Sequence, residues 1–258
     1  MDFQDIQFEV ADDHVATVTL NRPDAYNAFT EKMATEMLTV WKTVRETDDI
    51  HAVVLRAAGE KAFCTGIDIK AGKWWGDWNI WNHEDPGTVF GPRHNKVWKP
   101  VIVAVHGMCA GGGQYFLNEA DIIICSDDAT FFDPHANAGI VSALEPIGMV
   151  ARGVPIGDVL RWALMGSEER VGAETALRVG LVSEVVPRAD LWDRAQQIAG
   201  EIAARRPAGV QGTVRAIWES LDMTRSAALQ NGIAYTHIGN DLGGPPGTRS
   251  RGRKPETR

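Results

Sequence analysis

Two short glycine-containing turns, each preceded by an apolar strand, most strongly constrain the fold of this chain. The first turn, Gly66-Ile67-Asp68, follows the apolar residues 53–55, and the second, Gly111-Gly112-Gly113, follows residues 101–105. Apolar strands that alternate with helices are typical of a parallel sheet covered by helices on its faces. We expect each turn to lead into a helix, so the sequence predicts an α/β fold for the front of the chain.

The pattern of strands and helices changes near the middle of the chain. Before that point we predict a hairpin formed by residues 3–10 and 14–20, and a helix capped by Thr30. After it the pattern is helical, near residues 142–152, 156–165, 172–179, 189–205, 207–220 and 224–237. We therefore divide the chain into a β/α core, residues 1–190, and a helical C-terminal region with a basic tail, residues 191–258.

Composition and charge exclude several classes of protein. The 258-residue chain has a formal net charge of −8, which argues against a nucleic-acid-binding surface. Its N-terminus lacks the basic start and apolar run of a signal peptide, and its apolar runs are too short to span a membrane. The three cysteines show no metal-binding spacing and fit reduced, buried thiols. We expect a soluble, cytoplasmic protein with no metal, nucleic-acid or membrane partner.

Turns at the start of helices can bind an oxygen that carries negative charge. The first amide groups of a helix have no internal partners and carry partial positive charge. Two such turns facing one crevice would direct two backbone N–H groups at a single oxygen, which is the arrangement of an oxyanion hole. Glycine allows a ligand to approach the backbone closely, although the triplet 111–113 could instead serve a close contact between helix and strand. The spacing does not match the GxGxxG pattern of dinucleotide-binding proteins.

Several motifs follow one another in an order typical of a known family. They are Asn21-Arg22-Pro23, Asn27-Ala28, residues 63–70, the strand and turn at 100–107, the glycine triplet, residues 121–125 and residues 173–187. Together they resemble the crotonase superfamily of enoyl-CoA hydratases and isomerases, over about residues 3–240. The resemblance implies a ClpP/crotonase-like spiral of β/β/α units with a helical trimerisation region, and a homotrimer or a dimer of trimers. It also implies an acyl-CoA thioester substrate, with coenzyme A as part of that substrate and no separate cofactor.

The resemblance also assigns residues to the site. It implies that the backbone amides of Ile67 and Gly112 form the oxyanion hole. The residues that would lie near the coenzyme A moiety or the acyl group are Ala25, Tyr26, Ala28, Cys64, Gly66, Asp68, Ile69, Gly111 and Trp75. We also interpret Asp68 as the cap of the helix expected after the first turn.

Two positions depart from the hydratase pattern that the resemblance implies. Hydratases of this family carry one glutamate two residues after the glycine triplet and another about twenty residues later, whereas this chain has Tyr115 and His135. A histidine titrates near neutral pH, so His135 is the candidate for proton transfer, the alternative being a role in shaping the pocket. Tyr115 could donate a hydrogen bond or simply pack. Glu145 could pair with His135, orienting it and raising its pKa, or act only as a helix-start carboxylate.

Two further segments allow more than one interpretation. Four tryptophans occur where the family places a loop that lines the acyl pocket: Trp74, Trp75, Trp78 and Trp81. Aromatic lining would suit a bulky acyl group, but these residues could equally pack against a neighbouring subunit. The basic residues of the tail are Arg249, Arg251, Arg253, Lys254 and Arg258. They could bind coenzyme A phosphates, although a solvated tail is the simpler interpretation.

The sequence therefore predicts an acyl-CoA-transforming enzyme that stabilises a thioester enolate. The preferred reaction is that of a hydratase-like lyase on a bulky acyl-CoA, with His135 in place of a glutamate. Double-bond isomerisation and C–C bond hydrolysis of a ring ketone are alternatives, because the shared fold and intermediate do not choose among them. An alternative of another class is a catalytically silent protein that binds acyl-CoA or serves in assembly.

Overall fold

The computed structural model describes residues 3–72, 81 and 86–240. The chain divides into two units, Met1–Ala204 and Arg205–Arg258. The first unit therefore extends beyond residue 190, where the β/α core was expected to end, and includes one further helix.

Ten β-strands form two sheets within the described residues. They are β1 (Ile6–Val10), β2 (Val15–Leu20), β3 (Ala52–Ala57), β4 (Ala62–Cys64), β5 (Val101–Val105), β6 (Met108–Ala110), β7 (Ile122–Ser126), β8 (Thr130–Phe132), β9 (Val171–Gly172) and β10 (Glu184–Val186). The larger sheet has the order β1-β2-β3-β5-β7-β10, and the smaller has the order β4-β6-β8-β9. Strands β1 and β2 pair antiparallel, which confirms the predicted hairpin. The other neighbours in the larger sheet are parallel, as the apolar strands predicted.

The chain alternates between the two sheets as it advances. Strands β3, β5 and β7 lie side by side in the larger sheet, and the strands that follow them, β4, β6 and β8, lie in the same order in the smaller sheet. Each strand of the larger sheet and the strand that follows it in the smaller sheet therefore form one turn of a spiral. The glycine turns directly follow β4 and β6, which pair in parallel, so the spiral brings the two turns to the same edge.

Eight α-helices lie within the described residues. They are α1 (Glu31–Glu46), α2 (Tyr115–Asn118), α3 (Leu144–Ala151), α4 (Ile156–Met165), α5 (Ala173–Arg178), α6 (Leu191–Ala203), α7 (Pro207–Ser220) and α8 (Arg225–Asn240). Thr30 caps α1 as predicted, because its hydroxyl accepts a hydrogen bond from the Met33 amide at 3.1 Å. Helix α1 buries Trp41 and its neighbours against one face of the larger sheet, and α6 covers the other face. Burial on both faces explains why the strands are almost wholly apolar.

Helices α7 and α8 form the second unit and pack against each other. The Tyr235 hydroxyl of α8 donates a hydrogen bond to Glu219 of α7 at 2.5 Å, and Arg215 pairs with the same carboxylate at 2.7 Å. Among the described residues, no helix combines the length and the apolar character needed to cross a membrane.

Candidate active site

The first glycine turn is hydrogen-bonded to Phe29, the residue before Thr30, which caps α1. The Phe29 N–H donates to the Gly66 carbonyl at 2.8 Å, and the Asp68 N–H donates to the Phe29 carbonyl at 2.9 Å. Because these two bonds flank Ile67 in a parallel bridge, the N–H of Ile67 itself is directed away from Phe29.

The second glycine turn lies directly beside the first. A Cβ added at Gly66 would lie 2.8 Å from the Gly112 nitrogen and 3.1 Å from the Ala110 carbonyl oxygen. Gly112 is the second residue of the 3-10 helix Gly111–Gln114, so its N–H has no acceptor inside that helix. Within the described residues, neither this N–H nor that of Ile67 donates to a backbone acceptor. The two adjoining turns therefore each carry a backbone N–H without a backbone acceptor among the described residues.

The contact between the turns requires glycine. Gly66 has a φ of +85°, which other residues rarely adopt. A Cβ at Gly113 would lie 2.4 Å from the Cys64 carbonyl oxygen, and one at Gly112 would lie 2.8 Å from the Phe29 ring. The glycine triplet therefore makes the close contact between helix and strand that the sequence analysis considered. It also carries the Gly112 amide.

The segment after the first turn differs from the prediction. Residues 69–72 form turns and bends, so no helix begins there within the described residues. Asp68 does not cap a helix. Its carboxylate accepts a hydrogen bond from the Lys70 amide at 3.0 Å and pairs with the Arg22 guanidinium at 2.9 Å. Burial alone would raise the pKa of Asp68, but the hydrogen bonds from Arg22 and the backbone outweigh it and lower the pKa overall. The ion pair anchors the loop that carries Ile67.

Arg22 also anchors the loop that the resemblance assigns to coenzyme A. Its backbone N–H donates to Asn27 Oδ1 at 2.8 Å, and its guanidinium donates to the Ala28 carbonyl. The Thr65 hydroxyl donates to the Tyr26 carbonyl at 3.5 Å. The structure therefore brings the loop of Ala25, Tyr26 and Ala28 close to the first glycine turn.

The other residues expected near coenzyme A differ in accessibility. The side chains of Tyr26 and Ile69 are exposed and can contact a ligand. Cys64 is buried, and burial raises the pKa of its thiol to about 12, so only its backbone can contribute to binding. Trp75, like Trp74 and Trp78, lies outside the described residues, whereas Trp81 is exposed.

His135 is bonded to a buried carboxylate. Asp133 Oδ1 lies 2.5 Å from His135 Nδ1 and also accepts the His135 backbone N–H at 3.0 Å. The other oxygen of Asp133 accepts a hydrogen bond from the Ser142 hydroxyl. Burial would raise the pKa of Asp133, but the hydrogen bonds from His135 and Ser142 lower it overall. The sequence Asp133-Pro134 is typical of a turn, and its spacing does not show that the side chains of Asp133 and His135 meet.

Glu145 and Tyr115 complete this cluster. Glu145 Oε1 lies 3.9 Å from His135 Nε2, which is a charge contact rather than a hydrogen bond. The Tyr115 hydroxyl bonds to the Glu145 carboxylate. Burial raises the pKa of Glu145 despite that bond, and the hydrogen bond to Asp133 raises the pKa of His135 despite burial. The three catalytic candidates from the sequence therefore lie together, although Glu145 is not the nearest partner of His135.

The cluster adjoins the second glycine turn. A Cβ at Gly111 would lie 3.8 Å from His135 Cε1, and one at Gly112 would lie 3.2 Å from Tyr115 Cε2. Titratable side chains and backbone donors thus border the same space. Such a site can stabilise charge on an oxygen while a nearby carbon gains or loses a proton.

Asp133, His135 and Glu145 also approach within 4.8 Å of one another, close enough to share a cation. Both oxygens of Asp133 already accept hydrogen bonds, and His135 Nδ1 faces Asp133. Within this cluster of described residues, that leaves His135 Nε2 and Glu145, fewer ligands than a protein metal site normally supplies. The geometry favours a hydrogen-bonded network.

Comparison with known proteins decides the family. A family model described as enoyl-CoA hydratase/isomerase matches residues 11–237. This chain belongs to the enoyl-CoA hydratase/isomerase family. Membership confirms the resemblance found in the sequence, and with it the crotonase fold and an enzyme acting on acyl-CoA.

Individual members of the enoyl-CoA hydratase/isomerase family match most of the chain. It is 36% identical over 225 residues to (E)-benzylidenesuccinyl-CoA hydratase of Thauera aromatica, covering 87% of this chain and 85% of that one. It is 31% identical over 246 residues to carnitinyl-CoA dehydratase of Escherichia coli O157:H7, covering 90% of each. The crystal structure of an enoyl-CoA hydratase/isomerase from Mycobacterium paratuberculosis superimposes with a TM-score of 0.84 at 34% identity, covering 94% of this chain and 92% of that one.

Proposed function

We propose that the protein adds water to, or removes it from, a bulky acyl-CoA at the C2–C3 bond. The observation that carries this proposal is the position of the Asp133–His135–Glu145 cluster beside two backbone amides that have no backbone acceptor within the described residues. The amides of Ile67 and Gly112 bind the thioester carbonyl oxygen and stabilise it as it becomes negative. Each such donor contributes about 3 kcal/mol to the transition state.

The reaction needs one group that takes a proton and one that gives a proton. In hydration, Glu145 takes a proton from water, the water oxygen bonds to C3, and the C2=C3 electrons move to form the enolate. The imidazolium of His135 then gives its Nε2 proton to C2, and the carbonyl re-forms, so the net change is the addition of one water. The raised pKa of His135 suits it to carry that proton at neutral pH. Dehydration follows the same steps in reverse.

A bulky acyl group is supported by one relative. The benzylidenesuccinyl group in the name of the Thauera aromatica hydratase contains an aromatic ring, and that protein is 36% identical to this chain. The aromatic residues predicted for the acyl pocket would suit such a group.

We expect a panel of 2-enoyl-CoA thioesters to rank aryl-substituted acyl groups above crotonyl-CoA in kcat/KM. Products are identified by mass spectrometry, and fragmentation distinguishes a 3-hydroxyacyl-CoA from a shifted double bond or a cleaved C–C bond. The same acyl groups as free acids are the control, because they lack coenzyme A. Isomerised or cleaved products would replace the hydratase assignment with one of the superfamily alternatives. Binding without any product would identify a catalytically silent protein.

The protein is a homotrimer or a dimer of trimers in this proposal. Helices α3 and α4 pack together and expose a group of large apolar side chains, which monomeric proteins rarely leave in water: Leu144, Ile147, Val150, Ile156, Leu160 and Leu164. A neighbouring subunit would cover them.

Ile147→Asp is therefore expected to dissociate the oligomer, because it places a charge in the covered surface. Analytical ultracentrifugation should give three or six times the 28.2-kDa chain mass for the parent protein and one chain mass for the variant. Leu38→Asp is the matched control, because Leu38 is an exposed residue of α1 outside this surface. A parent protein that sediments as a monomer would contradict the proposal.

A further inference from the structure

Two contacts from Asp133 hold His135, one on its ring and one on its backbone. One carboxylate oxygen lies 2.5 Å from ring Nδ1 and also accepts the backbone N–H of the same histidine. The Ser142 hydroxyl bonds to the other oxygen and so holds the plane of the carboxylate. Asp133 is only 1% exposed, whereas the His135 side chain is 27% exposed. The carboxylate is therefore a fixed support, and the imidazole is the part that can reach a substrate.

We propose that Asp133 is the positioning residue of this site, holding His135 with the proton on Nδ1 so that Nε2 exchanges protons with the substrate. This inference deepens the proposed function and rests on it for its catalytic consequence. Asp133 itself touches neither substrate nor reacting atoms. Glu145, at 3.9 Å from Nε2, is then free to act as the second proton carrier instead of orienting the ring.

The assignment follows from the hydrogen-bonding capacity of the groups. An ionised carboxylate can only accept hydrogen bonds, so the nitrogen that faces Asp133 must carry a proton in both states of the imidazole. When His135 loses a proton, that proton leaves from Nε2. Nε2 faces Glu145, whose carboxylate is also bonded by Tyr115. The direction of proton transfer is thus set by one buried residue that sequence reasoning did not place in the site.

The wild-type protein provides the first test. Nitrogen-15 NMR of the histidine rings, recorded without substrate above the pKa of His135, should show His135 as the Nδ1–H tautomer. A neutral ring protonated on Nε2 would overturn the proposal. This measurement needs no variant and no turnover, so its result is independent of whether the proposed reaction occurs.

Two isosteric variants give the second test. Asp133→Asn should lower the pKa of His135, move the alkaline limb of the kcat–pH profile to lower pH, and reduce kcat by about a hundredfold with KM nearly unchanged. Glu145→Gln should leave the His135 ring as the Nδ1–H tautomer, although it can also reduce kcat. If Asp133→Asn leaves the tautomer and the pKa of His135 unchanged, or if Glu145→Gln alone changes the tautomer, Asp133 is not the positioning residue. If the NMR results are as expected but no thioester is turned over, the positioning role of Asp133 stands and the proposed reaction is rejected.

Discussion

Replacing Gly66 with alanine is expected to reduce kcat by a hundredfold to a thousandfold, the usual effect of losing one donor from an oxyanion hole. The added Cβ would lie 2.8 Å from the Gly112 nitrogen, where it would cover that amide or force the two turns apart. Either change removes a donor from the thioester oxygen. The loss should appear mainly in kcat, because the donors act most strongly on the charge that develops in the transition state.

Gly72→Ala is the matched control for this experiment. Gly72 has a φ of +89°, close to the +85° of Gly66, so alanine meets a similar backbone strain at both positions. Among the described residues, none lies within 4 Å of a Cβ added at Gly72. Thermal unfolding of both variants measures the cost of the strain, and kinetics measure the effect on the amides. Equal activities of the two variants would show that the contact with Gly112 is irrelevant to turnover.

Much of the fold could be predicted because its signals are local. The apolar runs that form β3 and β5 need only their own sequence to be recognised as buried strands, and Thr30 caps α1 through a hydrogen bond to a residue three positions away. The short strands β4 and β6 were not predicted. Three residues are too few to show a periodic pattern, and these strands exist because the spiral pairs them with each other.

The candidate site was predicted only in part, because its contacts join distant residues. The resemblance to crotonases supplied Ile67 and Gly112, which no spacing rule would have paired across 45 residues of sequence. Asp68 was interpreted as a helix cap because local sequence alone suggests that role. Its partner in the structure, Arg22, lies 46 residues away, and no local pattern reveals that ion pair.

Asp133 shows a different limit of sequence reasoning. It is only two residues from His135, yet an Asp-Pro pair is common in turns whether or not the aspartate takes part in a site. Whether a side chain within a turn points into the protein or into solvent depends on the surrounding structure. Burial and the hydrogen bond from Ser142, nine residues later, identify its role.

His135→Gln is expected to lower kcat by at least about a hundredfold while the affinity for an acyl-CoA stays nearly constant. Glutamine can still donate a hydrogen bond to Asp133 but cannot carry a proton to C2. His135→Ala should have a similar effect on kcat, with a larger loss of stability, because Asp133 would remain buried with fewer hydrogen bonds. Affinity should persist because the loops assigned to coenzyme A are anchored by Arg22 rather than by His135.

The dependence of kcat on pH gives the sharper measurement. The hydrogen bond to Asp133 raises the pKa of His135, so the imidazolium persists above the ordinary range of a histidine. Since hydration uses the protonated ring of His135, kcat should fall as the pH rises through that pKa. This alkaline limb should disappear in His135→Gln and remain in the control His94→Ala, which removes a half-exposed imidazole bonded to Glu119. An unchanged kcat in His135→Gln, or the same alkaline limb with and without the imidazole, would remove His135 from the mechanism and leave Glu145 and Tyr115 as the candidates for proton transfer.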